Sequence, residues 1–227
     1  MYNNLLKIYK HPFTLLRFGR NFDGGYIIPK ELVNKDLISC GINDEISFEN
    51  DYIKSVENCR IYAYDGTINK FPSSNKKNFI WEKFNIDSSD TKDSISLNTI
   101  FEKYNLKNVT MKMDIEGGEY KGFETITDEN LSKIDCLIIE VHWLLKQKTD
   151  FEKLMLKLNK EMVLIHKHDN NNGGYFHYGA DVIPNVYELT FVNKRFITDK
   201  IENDIKLPIE NLDFVNDVKL TNPKFID

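Results

Sequence analysis

The run Leu137-Ile138-Ile139 constrains this chain more than any other segment. It has no polar–apolar alternation, so a strand built on it must be covered on both faces. Sheets of that kind carry helices on both sides and are largely parallel. The rest of the sequence agrees. Apolar, β-branched runs predict strands at 36–42, 60–64, 78–86, 109–114, 134–141, 162–166 and 186–192. Between them, helical spacing predicts helices at 47–57 (with Ser47 as a cap), 97–104, 119–126 and 150–159. This alternation reads as βαβ crossovers. Only the polar, glycine-bearing stretch 169–179 separates the last two strands, which predicts an antiparallel hairpin and a long functional loop. The expected fold is α/β and Rossmann-like, with a seven-stranded, mostly parallel sheet and a C-terminal antiparallel hairpin.

With 227 residues, one domain is expected: an N-terminal flap or extension (1–35), a core (36–196) and a tail (197–227). Residues 67–77 and 198–206 are polar and read as surface loops. The net charge of −5 argues against a nucleic-acid binder, which needs a basic face, but leaves room for a local basic pocket. Cys40, Cys59 and Cys136 form no Cys-x-x-Cys pair, so they read as buried free thiols of a reducing compartment and not as a structural zinc site. No apolar run approaches the roughly 18 residues of a membrane span, and the first residues lack the pattern of a signal peptide. A cytoplasmic protein is expected. Lys is abundant beside only four Arg and two Ala, a bias that reads as that of an AT-rich bacterial genome.

Open parallel sheets bind ligands beyond the carboxyl ends of their strands, which selects four segments. Gly41-Ile42-Asn43 follows the first strand but lacks Gly-x-Gly-x-x-Gly, so a dinucleotide pyrophosphate cradle is poorly supported. Asp65-Gly66 ends the second strand, where a carboxylate can accept from ribose hydroxyls; an Asp-Gly turn is the plainer reading. The 24-residue step from Gly41 to Asp65 favours a nucleoside, and the missing glycines favour S-adenosylmethionine over NAD. Asp114-Ile115-Glu116-Gly117-Gly118-Glu119 gathers three carboxylates that need a cation, a proton or donors. Asp114 is assigned to the site, and Glu119 to an ordinary helix start. Glu140 and His142 share one side of the fifth strand and should lie beside Asp114. His142 is the leading general base and His168 the second. His166 and His168 share one side of strand six, with Asn170 and Asn171 following as substrate contacts; His-x-His can bind a metal, but hydrogen bonding to a polar substrate is the preferred reading. In 17–29, Asp23-Gly24-Gly25-Tyr26 reads as a hairpin turn or as a flap, with Arg20 toward substrate and Tyr26 toward cofactor.

Met111-Lys112-Met113-Asp114-Ile115-Glu116-Gly117-Gly118-Glu119 resembles the K-x-D-x-E-G-x-E signature of FkbM-type methyltransferases. Arg17-x-Gly19-Arg20, Asp23-Gly24-Gly25-Tyr26, Gly41 with Phe48-Glu49, Ile139-Glu140-Val141-His142, and His168-x-Asn170-Asn171 followed by Pro184 and Glu188-Leu189-Thr190-Phe191 look like a bacterial branch of that family, over about 15–216. The departure is at Gly41, where a further glycine is usual. The resemblance implies a class I methyltransferase fold and an S-adenosylmethionine-dependent O-methyltransferase acting on a sugar or sugar nucleotide, as for surface polysaccharide. Gly41 would line the cofactor, Asp65 would hold its ribose, and Asp114 and Glu116 would stand between cofactor and acceptor. A divalent metal held by Asp114 and Glu140 remains an alternative to a metal-free base. A nicotinamide dehydrogenase and a non-catalytic binding protein are the competing readings. Oligomeric state leaves no mark in the sequence.

Overall fold

The computed structural model describes residues 2–33, 36–73, 77–220 and 224–226. The remaining positions, which belong to the expected extension, the 67–77 loop and the tail, lie outside the described residues. Seven strands form the central sheet: β1 (Leu37–Cys40), β2 (Ile61–Tyr64), β3 (Phe79–Glu82), β4 (Val109–Met113), β5 (Ile134–Val141), β6 (Met162–Asp169) and β7 (Tyr187–Asn193). Their order is β3-β2-β1-β4-β5-β7-β6. The pairs among β1 to β5 are parallel. β7 runs antiparallel to both β5 and β6 and fits between them. The expected mostly parallel, seven-stranded sheet with an antiparallel end is therefore observed. The order reverses between β1 and β4, and that switch point opens a crevice at their carboxyl ends.

β5 is buried at every residue. Leu137 and Ile139 enter one core with Phe151, Leu154 and Met155, while Cys136 and Ile138 enter the other with Phe48 and Tyr52. These partners come from α1 (Ser47–Ser55) and from the later helix Lys148–Leu158. Between those two lie α2 (Leu97–Tyr104), α3 (Glu119–Glu124) and α4 (Asp128–Ser132), so the Lys148–Leu158 helix is α5. α2 begins where the Ser96 side chain accepts from Thr99 N–H and ends at Asn105 in a left-handed conformation. An N-terminal hairpin, Leu15–Gly19 with Gly25–Pro29, covers α1 and β5.

Several expected boundaries shift. The third strand stops at Glu82, because Phe84 N–H closes a turn onto the Glu82 carbonyl (3.0 Å); Asn85–Ile86 pairs instead with Ser94–Ile95. Ser47 is not a cap: it is the first residue of α1, and its buried hydroxyl has no hydrogen-bond partner among the described residues. The helix expected over 119–126 is shorter, ending at Glu124, and a separate Thr127-capped helix, α4, follows. All three cysteines are buried and free; burial pushes the Cys40 thiol up to about 12. Among the described residues, no helix is long and apolar enough to cross a membrane.

Candidate active site

The β1 and β2 ends are tied together by the chain itself. Gly41 has φ +78°, a conformation that L side chains rarely adopt, and its N–H donates to the Tyr64 carbonyl (2.9 Å). A Cβ there would stand 1.6 Å from the Asp114 carbonyl oxygen. Asp65 Oδ2 accepts from Ile42 and Asn43 N–H (3.1 and 2.8 Å), and Oδ1 from Thr67 N–H and hydroxyl (2.8 and 2.5 Å). Burial alone would raise its pKa, but those four donors hold the carboxyl below the usual 3.8. A cavity of about 370 Å³ opens here, walled by Gly41, Asn43, Asp65, Gly66, Asp114 and Glu116. Arg20 also borders it, paired with Glu45 at 2.5 Å. Lys112 ties β4 to this loop, donating to the Gly41 carbonyl (2.6 Å).

The β4 and β5 ends carry a different arrangement. His142 is buried, and its ring is surrounded by carboxylates. Nδ1 lies 3.0 Å from Glu119 Oε1. Nε2 lies 3.5 Å from Glu140 Oε1, 3.6 Å from Glu116 Oε2 and 3.8 Å from Asp114 Oδ1. Burial would lower the imidazole pKa; the Glu119 bond and charge, then Asp114 and Glu116, outweigh it and raise the pKa above 6.5. Glu140 accepts from Asn170 Nδ2 (2.8 Å) and from the Tyr26 hydroxyl (3.1 Å), which also donates to Asp114 Oδ2 (2.6 Å). Burial first, then Asp114 and Glu188, push Glu140 well above the ordinary carboxylate range. A second cavity, about 530 Å³, adjoins His142 and Glu140 and shares Asp23 and Glu116 with the first. Trp143 forms part of its wall, 42% exposed, with its indole N–H on the Glu116 carbonyl (3.3 Å).

The structure thus brings together Gly41, Asn43, Asp65, Gly66, Glu116 and Arg20 around one cavity, and Glu140, His142 and Asn170 around the next, with Asp114 between them. Three expected residues stand elsewhere. His168 faces the tail, its Nε2 3.2 Å from Asn216 Oδ1, and it borders neither cavity. Asn171 donates to the Asp217 carbonyl (2.9 Å), because the tail packs over this end of β6. Tyr26 is buried among carboxylates and does not line the first cavity. His166 likewise meets Asp213 at 3.2 Å. Glu119, read as a helix start, is fully buried and belongs to the His142 cluster; Ile115 and Gly117 N–H also donate to it (3.1 and 3.2 Å). Trp143 and Asp23 were not expected either.

A sheet in the order β3-β2-β1-β4-β5-β7-β6, with β7 reversed and a cavity beyond β1, β2 and β4, is the architecture of a Rossmann-like methyltransferase. Residues 16–176 match the methyltransferase FkbM domain, and the chain belongs to that family. Its cofactor class is accordingly S-adenosylmethionine. No curated protein matches the chain. Similar solved structures include the fibrillarin pre-rRNA processing protein of Methanococcus jannaschii, with 10% identity, TM-score 0.45, and 80% of this chain and 83% of that one covered. A precorrin-6y C5,15-methyltransferase of Geobacter metallireducens GS-15 shows 12% identity and TM-score 0.39 over 71% of this chain and 83% of that one. A putative DNA modification methyltransferase encoded within an E. coli prophage shows 9% identity and TM-score 0.43, over 76% of this chain and 51% of that one.

Proposed function

We propose that this chain transfers a methyl group from S-adenosylmethionine to a hydroxyl of a sugar or sugar nucleotide, in the building of a bacterial surface polysaccharide. The observation that carries the reading is the pair of adjoining cavities with Asp114 and His142 at their junction. The first cavity suits the cofactor. Its volume of about 370 Å³ falls in the range of small-molecule sites, roughly 300–1,000 Å³. Phe84, Ile86 and Ile115 offer apolar wall, and Asn43, Asp65 and Glu116 offer acceptors. All four acceptor positions of Asp65 are taken, so a ribose hydroxyl would displace the Thr67 hydroxyl there.

The second cavity suits a polar ring. The exposed Trp143 indole offers a flat platform, and Asn170, Asn172 and Asp23 offer hydrogen bonds. Lys146 and Lys224 on the same wall suit a phosphate. The bound cofactor supplies an electrophilic methyl on a sulfonium, whose C–S electron pair stays on sulfur. The acceptor oxygen contributes the new bond's pair and loses its proton at the His142 cluster. Positioning the hydroxyl and disposing of that proton are the chain's own tasks.

Calorimetry with S-adenosylhomocysteine, followed by labelled methyl transfer to a panel of sugars and sugar nucleotides, tests this. Micromolar binding and label on a sugar hydroxyl are expected, with transfer lost in His142→Ala while cofactor binding persists. Label on another small molecule would overturn the substrate class. Binding without any transfer would point to a catalytically silent binding protein. No binding would overturn the reading entirely.

A further inference from the structure

We infer that Asp114, Glu140 and His142 form a divalent-cation site. The inference deepens the reading above, and it depends on that reading only for what the ion does. One oxygen from each carboxylate and one ring nitrogen lie within 4.8 Å of one another. Nε2 stands 3.5 Å from Glu140 Oε1 and 3.8 Å from Asp114 Oδ1. A proton shared between such atoms would draw them to roughly 2.7–2.9 Å. Two ligands of one ion, each bound at about 2.0–2.2 Å, stand farther apart, as these do.

A second observation concerns how His142 is held. Its side chain is 6% exposed, and Nε2 makes no hydrogen bond among the described residues. Nδ1 is fixed by Glu119 Oε1, a buried carboxylate that Ile115 and Gly117 N–H also hold. With the Glu119 carboxylate accepting from Nδ1–H, the neutral ring presents its Nε2 lone pair toward Asp114, Glu116 and Glu140. Ligating imidazoles are oriented in this way, by a carboxylate on the far ring nitrogen. Tyr26 and Asn170 orient the two carboxylates in turn.

Charge supplies the third argument. Glu188 faces Glu140 across the β5–β7 pair, adding a fifth carboxyl to Asp114, Glu116, Glu119 and Glu140. Among the described residues, ion pairs to these five come from Lys112, 3.9 Å from Asp114, and His142 alone. Two carboxylates, one imidazole and open positions toward the second cavity suit manganese or a similar hard-to-borderline ion. A hydroxyl entering an open position would be acidified. Its proton would pass to water or to the exposed Glu116 carboxylate, its oxygen pair to the methyl carbon, and the C–S pair to sulfur. His142 would then act as a ligand, and its loss would still abolish transfer.

The test is titration of metal-stripped protein with Mn²⁺, following the free ion's paramagnetic resonance signal, alongside calorimetry with S-adenosylhomocysteine. One Mn²⁺ per chain is expected. Asp114→Asn and Glu140→Gln should weaken binding at least tenfold, and Glu119→Gln by about 10–100-fold, because Glu119 holds the His142 ring in its ligating orientation. Should those variants fail to fold, the wild-type protein still answers: bound Mn²⁺ should broaden the ring signals of His142 before those of His166 and His168. No saturable binding, or broadening that spares His142, overturns the site. S-adenosylhomocysteine binding without Mn²⁺ binding would sink the site and leave the methyltransferase reading standing. Mn²⁺ binding without transfer to any sugar would leave the site standing and overturn the sugar acceptor.

Discussion

Asp65 and Glu140 both stand at the carboxyl ends of sheet strands, and the chain treats them in opposite ways. Asp65 follows β2 and receives four donors, three of them backbone N–H, so its carboxyl is held below 3.8 despite burial. Among the described residues Glu140, on β5, accepts from Asn170 and Tyr26 alone; burial, then Asp114 and Glu188, push its carboxyl well up. Both are acidic, and both border a cavity. The difference is what completes them. The half proposed for the cofactor is finished by the polypeptide and stands preorganised. The half proposed for the acceptor crowds carboxyls together with few donors, and burial favours their neutral forms.

The sharpest way to break the contrast is to strike the finished half. Gly41→Ala places a methyl against the Asp114 carbonyl in a left-handed backbone. A loss of at least ~3 kcal/mol in urea denaturation is expected, with S-adenosylhomocysteine binding abolished. Retained binding would show that the loop is not preorganised as described.

The two halves should also answer pH with opposite signs. Burial pushes Glu188 up to about 8 from an ordinary 4.5. Its folded form therefore keeps a proton that the unfolded chain has lost. The stability it contributes is fully present below pH 4.5 and lost as pH rises through about 8, by up to about 1.4 kcal/mol per pH unit. Asp65 is depressed, so its contribution is present above 3.8 and lost as pH falls through its lower folded value. Urea midpoints across pH should flatten between about pH 4.5 and 8 in Glu188→Gln and below 3.8 in Asp65→Asn. The smallest effect expected is that of Trp143→Ala. It should raise the acceptor KM by about tenfold, roughly 1.4 kcal/mol, and leave S-adenosylhomocysteine affinity unchanged.

The sheet was legible because its evidence is local. Leu137-Ile138-Ile139 demands cover on two faces, and Cys136 and Ile138 do enter one core while Leu137 and Ile139 enter the other. Strand-end residues followed from that sheet, which is why Gly41, Asp65, Asp114, Glu140 and His142 all reach the crevice. Glu119 was missed for a physical reason. A carboxylate in a helix's first turn is already explained by the helix, and its true partner lies 23 residues away. The signal was present in the two glycines before it, which let the chain fold back so that Ile115 and Gly117 N–H meet its carboxylate. His168 and Asn171 were misplaced because the tail decides what covers β6. Residues 207–217 carry no periodicity that announces where they pack.

The position of β7 has a consequence for how the molecule is made. β1 to β4 can pair as soon as residue 113 has been synthesised. β5 then waits with one edge open, since its second neighbour is β7, which ends only at Asn193. Through some fifty residues of further synthesis, the most apolar strand of the protein offers unpaired backbone to any passing edge. A nascent chain stalled before Asn193 holds the cofactor half in place and an adhesive strand beside it, so aggregation during translation should begin at the acceptor half.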